Sequence, residues 1–158
     1  MGTAPAQRSG HDRALDVLRP VPNDRLEIRD DPAKGRGVFA RPAIAAGALI
    51  EAAPVILVPS PECTLLDRTI LHDYYFRWDA NSDGTGSDGT GSDGTGDTGR
   101  GAVALGLVAL CNHSRRPRAR VRRNHRQNTL DLVALAPIAT GEEVTIDYHC
   151  PLWFEAQD

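Results

Sequence analysis

The apolar residues of this chain recur at short intervals that are typical of β-strands. Residues 26–28 alternate between apolar and charged side chains, and residues 38–40 form a short apolar run, so both stretches predict short strands. The aliphatic run from Ala48 to Val58 is interrupted by Pro54. Because proline cannot donate a ladder hydrogen bond, this run predicts an edge strand or a bulge.

One stretch has the spacing of a helix. Leu66, Ile70, Leu71 and Tyr74 recur at roughly helical intervals within residues 64–78, with Thr64 as a candidate cap. Residues 103–111 are apolar and fit either a helix or a strand, whereas residues 130–135 and 144–148 alternate like strands. The pattern as a whole predicts a mainly β fold with one or two short helices.

The length of 158 residues suits one domain. Residues 1–24 lack a sustained apolar period and predict a flexible leader before a domain over residues 25–158. The pentapeptide Ser-Asp-Gly-Thr-Gly occurs three times in residues 82–96. Its composition cannot form an apolar core, so we expect a solvated loop at about residues 80–100, with a weak cation site as the alternative.

Composition narrows the class of protein. Apolar residues make up 41% and charged residues 25% of the chain, which is ordinary for a globular domain. The apolar runs are too short to span a bilayer, and the first residues lack the pattern of a signal peptide, so we expect a cytoplasmic protein without membrane contact. The three cysteines are too few and too scattered for a zinc cluster, so no metal is expected.

Three short motifs stand out, in this order: Lys34-Gly35-Arg36-Gly37, Asn112-His113-Ser114, and Gly141-Glu-Glu-Val-Thr-Ile-Asp-Tyr148. Each alone has an ordinary explanation as a turn, an exposed histidine, or a turn followed by a strand. Together and in this order they resemble the signature of the SET domain family, the fold of most protein lysine methyltransferases. The resemblance runs from about residue 26 to residue 156.

The resemblance implies a fold and a set of site residues. The fold would be a mainly β SET-domain-like arrangement of short strands and small sheets, with a C-terminal segment threaded beneath a loop as a pseudoknot. Tyr148 would be the catalytic tyrosine, and the cofactor would be S-adenosylmethionine. The implied cofactor-binding residues are Lys34, Gly35, Arg36, Gly37, Asn112, His113, Tyr148, Trp153 and Phe154.

The chain also departs from the family pattern. Arg115 follows the serine where many members have a zinc-binding cysteine, and Arg118 follows Pro117 where the family often has asparagine. The sequence also lacks the cysteine-rich tail of such members, so a zinc-free member is implied. Tyr74 and Tyr75 are candidates for the wall of the substrate channel, and core packing is the alternative for both.

The function implied by the resemblance is S-adenosylmethionine-dependent N-methylation of lysine in a protein substrate. The alternative is a non-catalytic SET-like interaction module that binds an acidic partner through residues Arg115 to Arg126, which contain seven arginines. Nucleic acid is a third partner for this stretch. It is not favoured, because no aromatic residue for base stacking is interleaved. A solvated strand and loop whose arginines share the exposed face is the favoured interpretation of this stretch.

Overall fold

The computed structural model describes residues 23–32, 34–79 and 99–148. The leader predicted for residues 1–24 falls almost entirely outside these ranges, and the pentapeptide repeat falls entirely outside them, so both stay predictions. In chain order the elements are β1 (Leu26–Asp31), β2 (Gly35–Ala40), β3 (Leu49–Val58), α1 (Ser60–Leu66), a first 3₁₀ helix (Ile70–Tyr74), β4 (Tyr75–Arg77), β5 (Gly101–Ala104), a second 3₁₀ helix (Leu107–Leu110), β6 (Ala119–Asn124) and β7 (Thr129–Ala134).

The strands form two antiparallel sheets. β1 and β2 make a two-stranded sheet, and the other strands make a five-stranded sheet in the order β4-β5-β3-β7-β6. The fold is therefore mainly β, as predicted. Within the described ranges, no helix is long and apolar enough to cross a membrane.

β3 is the central strand of the larger sheet, so the prediction of an edge strand was wrong. Its first half, up to Pro54, pairs with β7, and its second half, from Val55, pairs with β5. Pro54 therefore lies where the strand changes partner, and its carbonyl accepts a hydrogen bond from the backbone N–H of Leu105 (2.8 Å). Pro54, which has no N–H to donate, therefore stands at the residue where the strand changes partner. The predicted irregularity exists, but it lies between Leu49 and Glu51.

The helix predicted within residues 64–78 was also wrong in its position and its buried face. The α-helix ends at Leu66, and Thr64 lies inside it rather than capping it. Ile70 is 75% exposed and belongs to the 3₁₀ helix, whose N-cap is Thr69. The apolar spacing was real, but Tyr75 to Arg77 pair with β5 and end the helical stretch.

The core lies between the inner faces of the two sheets and the segments that connect them. Trp78 is the largest fully buried side chain, and it is joined there by the alternating residues Leu130 and Leu132 of β7. Val38 of β2 and Val144 and Ile146 of the C-terminal segment belong to the same cluster. Burial of Val144 and Ile146 therefore fixes the position of the C-terminal segment, which is expected to carry functional residues.

Candidate functional site

The C-terminal segment, residues 141–148, brings the three sequence motifs together. On one side it bonds to β2, where the N–H of Val144 donates to the carbonyl of Val38 (2.7 Å). On the other side the N–H of Ile146 donates to the carbonyl of Asn112 (3.0 Å), in a parallel bridge between His113 and Ile146. The segment therefore passes between the glycine motif and the Asn-His-Ser motif, as expected for a threaded segment.

The two glycines of the glycine motif have different surroundings. Gly35 has a φ of +79°, is exposed, and has no atom within 4 Å of the position that a Cβ would take. At Gly37 a Cβ would lie 2.8 Å from Oε1 of Glu143 and 3.1 Å from Nδ2 of Asn112. The motif thus offers open backbone at Gly35 and requires close packing at Gly37.

The Asn112 amide joins the glycine motif to the C-terminal segment. Its Nδ2 donates to the carbonyl of Arg36 (3.1 Å) and to Oε1 of Glu143 (2.7 Å). Both amide hydrogens are therefore used within the protein, which leaves Oδ1 as the side-chain atom available to a ligand. Oδ1 is an acceptor, so it suits a hydroxyl or amine donor.

Glu143 is held in turn by Lys34, whose Nζ lies 3.1 Å from Oε2 of Glu143. The two side chains are only 22% and 16% exposed, so water and salt screen their attraction less than they would at the open surface. Glu143 therefore binds one residue from each of the other two motifs. It was not predicted as a site residue, although it stands in the motif that ends at Tyr148.

Tyr148 is oriented by main-chain and ring contacts. Its hydroxyl donates to the carbonyl of Cys111 (2.9 Å), and its backbone N–H donates to Nδ1 of His113 (3.2 Å). The two rings pack at a tilt of 54° with centroids 5.3 Å apart. Tyr148 is 37% exposed, so it lies at the surface of the site with one edge open.

A second carboxylate supports the loop that carries Asn112. Glu51 of β3 accepts hydrogen bonds from the backbone N–H groups of Leu107 (3.0 Å) and Val108 (2.8 Å), at the start of the second 3₁₀ helix. That helix ends at Leu110 and leads directly to Cys111. Glu51 was not predicted as a site residue, although a carboxylate within an aliphatic strand was the available signal.

Cys111 itself is buried beneath the site. Burial raises the pKa of its thiol, and the nearby carboxylates of Glu51 and Glu143 raise it further. Its Sγ lies 3.8 Å from the carbonyl of Leu107. The thiol is therefore held in its neutral form and acts as a packing group.

The two candidate channel tyrosines lie at the end of the first 3₁₀ helix and the start of β4. The hydroxyl of Tyr75 donates to Oδ1 of Asp67 (2.7 Å), and desolvation followed by this bond raises the pKa of Tyr75 to about 12. Tyr74 is half-buried. Their channel role stays a prediction, and the Tyr75 hydroxyl has a structural partner away from the three motifs.

Trp153 and Phe154, the remaining predicted cofactor residues, lie outside the described residues. Within the part of the chain that is described, no group of three or more histidine, cysteine, aspartate or glutamate side chains is placed to hold a metal ion.

Comparison with known proteins identifies the combination of motifs. The model of the SET domain family matches residues 35–149. A Schizosaccharomyces pombe protein named as a histone-lysine N-methyltransferase, specific for H3 lysine-37, is 34% identical over 137 residues, which cover 86% of this chain and 81% of the relative.

Two solved structures share the fold. One is the Neurospora SET domain protein DIM-5, a histone lysine methyltransferase, with a TM-score of 0.59 and 21% identity over 84% of this chain and 55% of that chain. The other is a Plasmodium falciparum protein described as a candidate histone methyltransferase, with a TM-score of 0.55 and 21% identity over 82% of this chain and 97% of that chain.

Proposed function

The chain belongs to the SET domain family and is a protein-lysine N-methyltransferase, and from this premise we propose that Tyr148 acts at the transferred methyl group. One observation carries the assignment. A single segment brings Tyr148 next to Cys111 and His113, and it brings Glu143 to Lys34 and Asn112. None of the comparisons favours the alternative of a non-catalytic interaction module.

The described residues fit the cofactor that the family uses, S-adenosylmethionine. The open backbone at Gly35 lets a ligand approach closely, and Asn112 Oδ1 and the main chain at His113 offer hydrogen-bonding atoms beside it. When bound, the cofactor supplies an electrophilic methyl group on a positively charged sulfur. Asn112, Glu143 and Lys34 hold the surrounding backbone in place for it.

The acceptor lysine must present a neutral amine. Its ordinary pKa of about 10.4 makes this cost roughly 4.6 kcal/mol at pH 7. The partly exposed ring of Tyr148, packed on the buried imidazole of His113, presents an apolar face, and desolvation against such a face lowers the pKa of an amine. The proton can then leave to solvent before the amine is aligned.

The hydroxyl of Tyr148 acts as an acceptor. Its only hydrogen is donated to the Cys111 carbonyl, so the oxygen has lone pairs but no proton to offer to the reacting groups. Such an oxygen can accept weak C–H contacts and orient a methyl group. Tyr148 is therefore a positioning group for in-line transfer rather than a general acid.

The substrate that we propose to test first is histone H3, because the fission-yeast relative is named for that protein. The cytoplasmic location predicted from the sequence stays a prediction.

The test is Tyr148→Phe. The variant loses one hydrogen bond and keeps the ring, so we expect its free energy of unfolding to fall by only about 1 kcal/mol. Methyl transfer to histone H3, followed by mass spectrometry, should fall by about 100-fold because alignment is lost. Calorimetric titration should give an affinity for S-adenosylmethionine close to that of the unsubstituted protein.

Two results would separate the parts of the proposal. Undiminished transfer by Tyr148→Phe would remove Tyr148 from the reaction while leaving the activity in place. Cofactor binding without transfer to histone H3, followed by labelling of another lysine-containing protein, would reject only the substrate.

A further inference from the structure

A row of exposed arginines follows β6 and its flanks. We call Arg116, Arg118, Arg120, Arg122 and Arg126 the arginine edge; all five are exposed. β6 is an end strand of the five-stranded sheet, so these side chains lie along a border of the molecule. Residues 115–126 contain seven arginines and no aspartate or glutamate, in a chain whose net charge is −3.

The ion pairs in the described structure neutralise only part of this charge. Arg118 pairs with Glu142, and Arg122 pairs with the buried carboxylate of Asp131 (3.1 Å). Arg116, Arg120 and Arg126 have no ion-pair partner among the residues that are described. The edge therefore keeps a net positive charge after its internal pairs are counted.

The side chains of the arginine edge that lie on β6 start from regularly spaced backbone positions. Arg120 and Arg122 lie two residues apart on one strand, so they project from the same face about 6.6 to 6.8 Å apart along it. Arg122 is anchored by Asp131, which also accepts from Thr129 Oγ1 (2.8 Å). The guanidinium groups are thus presented from a rigid strand.

At its far end the edge borders a shallow, open depression lined by residues 122–126. His125 packs edge-on against the buried ring of Trp78, with centroids 4.8 Å apart, and this contact fixes the hairpin tip. Arg123 turns inward and donates to the carbonyl of Arg77. Arg122 and Arg126 therefore lie on an open, positively charged surface at the end of the hairpin.

These features favour a phosphate backbone as the partner. Arginine pairs with phosphate through two parallel hydrogen bonds, and a nucleic-acid strand carries phosphates at regular intervals along its length, as the arginine edge carries guanidinium groups. Trp78 is 1% exposed and residues 115–126 contain no Phe, Tyr or Trp, so the edge lacks the large aromatic rings on which successive unpaired bases stack. A duplex presents phosphates without requiring such stacking.

We propose that the arginine edge binds the phosphate backbone of double-stranded DNA without sequence preference. The proposal does not rest on methyl transfer, because DNA binding is measured without cofactor or protein substrate.

The test is fluorescence anisotropy of a labelled 20-base-pair duplex titrated with the full chain at several salt concentrations between 0.05 and 0.2 M. We expect affinity to fall steeply with salt, because each phosphate contact contributes about 0.9 to the slope of log affinity against log salt. In Arg120→Gln/Arg126→Gln the slope should fall by about 1.8, and the affinity at 0.1 M salt should fall by about 60-fold.

A matched control carries the same change of charge elsewhere. Arg25 and Arg68 are exposed and lie outside the arginine edge, so Arg25→Gln/Arg68→Gln should bind the duplex like the unsubstituted chain. Equal loss of affinity in both double variants would overturn the proposal, because net charge alone would then explain binding. Absence of duplex binding at 0.05 M salt would overturn it as well.

Two further outcomes name other roles for the edge. Binding of a poly-glutamate peptide with no binding of the duplex would reject DNA and identify an acidic protein partner. Arginines also protect edge strands from pairing with other chains. Self-association of Arg120→Gln/Arg126→Gln in sedimentation, with unchanged duplex affinity, would show that protection is their role and would reject the proposal.

Discussion

Gly37 lies where the glycine motif meets the Asn112 amide and the Glu143 carboxylate. Its φ is not in the left-handed region, so conformation does not explain the requirement for glycine here. Space does, because a Cβ would stand 2.8 Å from Glu143 Oε1 and 3.0 Å from the ring of Phe39. Any side chain at this position must therefore displace the carboxylate that holds both Lys34 and Asn112.

We expect Gly37→Ala to lower the free energy of unfolding by about 1–3 kcal/mol through overpacking. Because Glu143 must move, the Asn112 amide loses a partner, and both cofactor affinity and the rate of methyl transfer should fall. Urea unfolding, calorimetric titration and a transfer assay measure the three effects.

Gly47→Ala is the matched control for that substitution. Gly47 has a φ of +75° and no atom within 4 Å of its would-be Cβ, so alanine there costs backbone strain of about 1–2 kcal/mol without a clash. Gly47→Ala should therefore lower the free energy of unfolding without changing cofactor affinity or methyl transfer. Unchanged cofactor affinity in Gly37→Ala would contradict the role given to Glu143.

The sequence motifs predicted which residues lie close together in the fold, and the roles of those residues in the site stay predictions. Asn112, His113 and Tyr148 were named in advance, and the structure places them together. Glu143 and Glu51 were not named, because their importance depends on which backbone and side-chain groups from distant segments reach them. That information is in the tertiary pairing and not in local spacing.

At the scale of elements, the second 3₁₀ helix links β3 to the site. Glu51 accepts from two backbone N–H groups at its start, and the chain that leaves its end passes through Cys111, whose carbonyl receives the Tyr148 hydroxyl. A displacement of this helix would therefore move the acceptor that orients Tyr148. Glu51 is a positioning residue that acts through main chain.

We expect Glu51→Ala to lower the free energy of unfolding by about 3 kcal/mol, since it removes two charge-assisted hydrogen bonds from half-buried or buried N–H groups. Glu51→Gln keeps one of the two acceptor oxygens, so one backbone N–H loses its partner, and this variant should lose about 1–2 kcal/mol. Transfer activity should follow the same order, and thermal unfolding with a transfer assay checks both.

Glu62→Ala serves as the control for Glu51→Ala. Glu62 is exposed on α1, so its loss should change stability by less than about 0.5 kcal/mol. If Glu51→Ala were as stable and as active as Glu62→Ala, Glu51 would not hold the second 3₁₀ helix in place.

The positions of β1, β2 and β7 were predictable from their apolar residues, although burial does not simply alternate there: every residue of β7 is buried, and Ile28 of β1 is exposed. β3 was misassigned because Pro54 was weighed as a lost donor without knowledge of the change of partner beside it. The helix was misplaced because the apolar spacing of Leu66, Ile70 and Leu71 does not correspond to a buried face; Leu71 is 41% exposed. In both cases tertiary pairing outweighed local pattern.

At the scale of the whole molecule, the core encloses an ionisable group directly beneath the site. The Cys111 thiol is 2% exposed, and burial with two nearby carboxylates raises its pKa. In the unfolded chain the thiol has an ordinary pKa of about 8.5. The folded state therefore holds a proton that the unfolded state releases, which couples global stability to alkaline pH.

The sign of this coupling follows from proton binding. Below pH about 8.5 both states are protonated and the contribution is fully present; above it the unfolded state binds fewer protons, so stability falls by up to about 1.4 kcal/mol per pH unit.

Between pH 8 and pH 10 we expect Cys111 to account for a loss of about 2 kcal/mol. Cys111→Ala should be less stable at pH 8, because it leaves a small cavity, but its free energy of unfolding should decline less over this interval. Cys63→Ala, at a half-buried thiol, should keep the full decline. Urea unfolding at pH 8, 9 and 10 distinguishes them, and parallel curves for all three proteins would show that the buried thiol does not carry the alkaline instability.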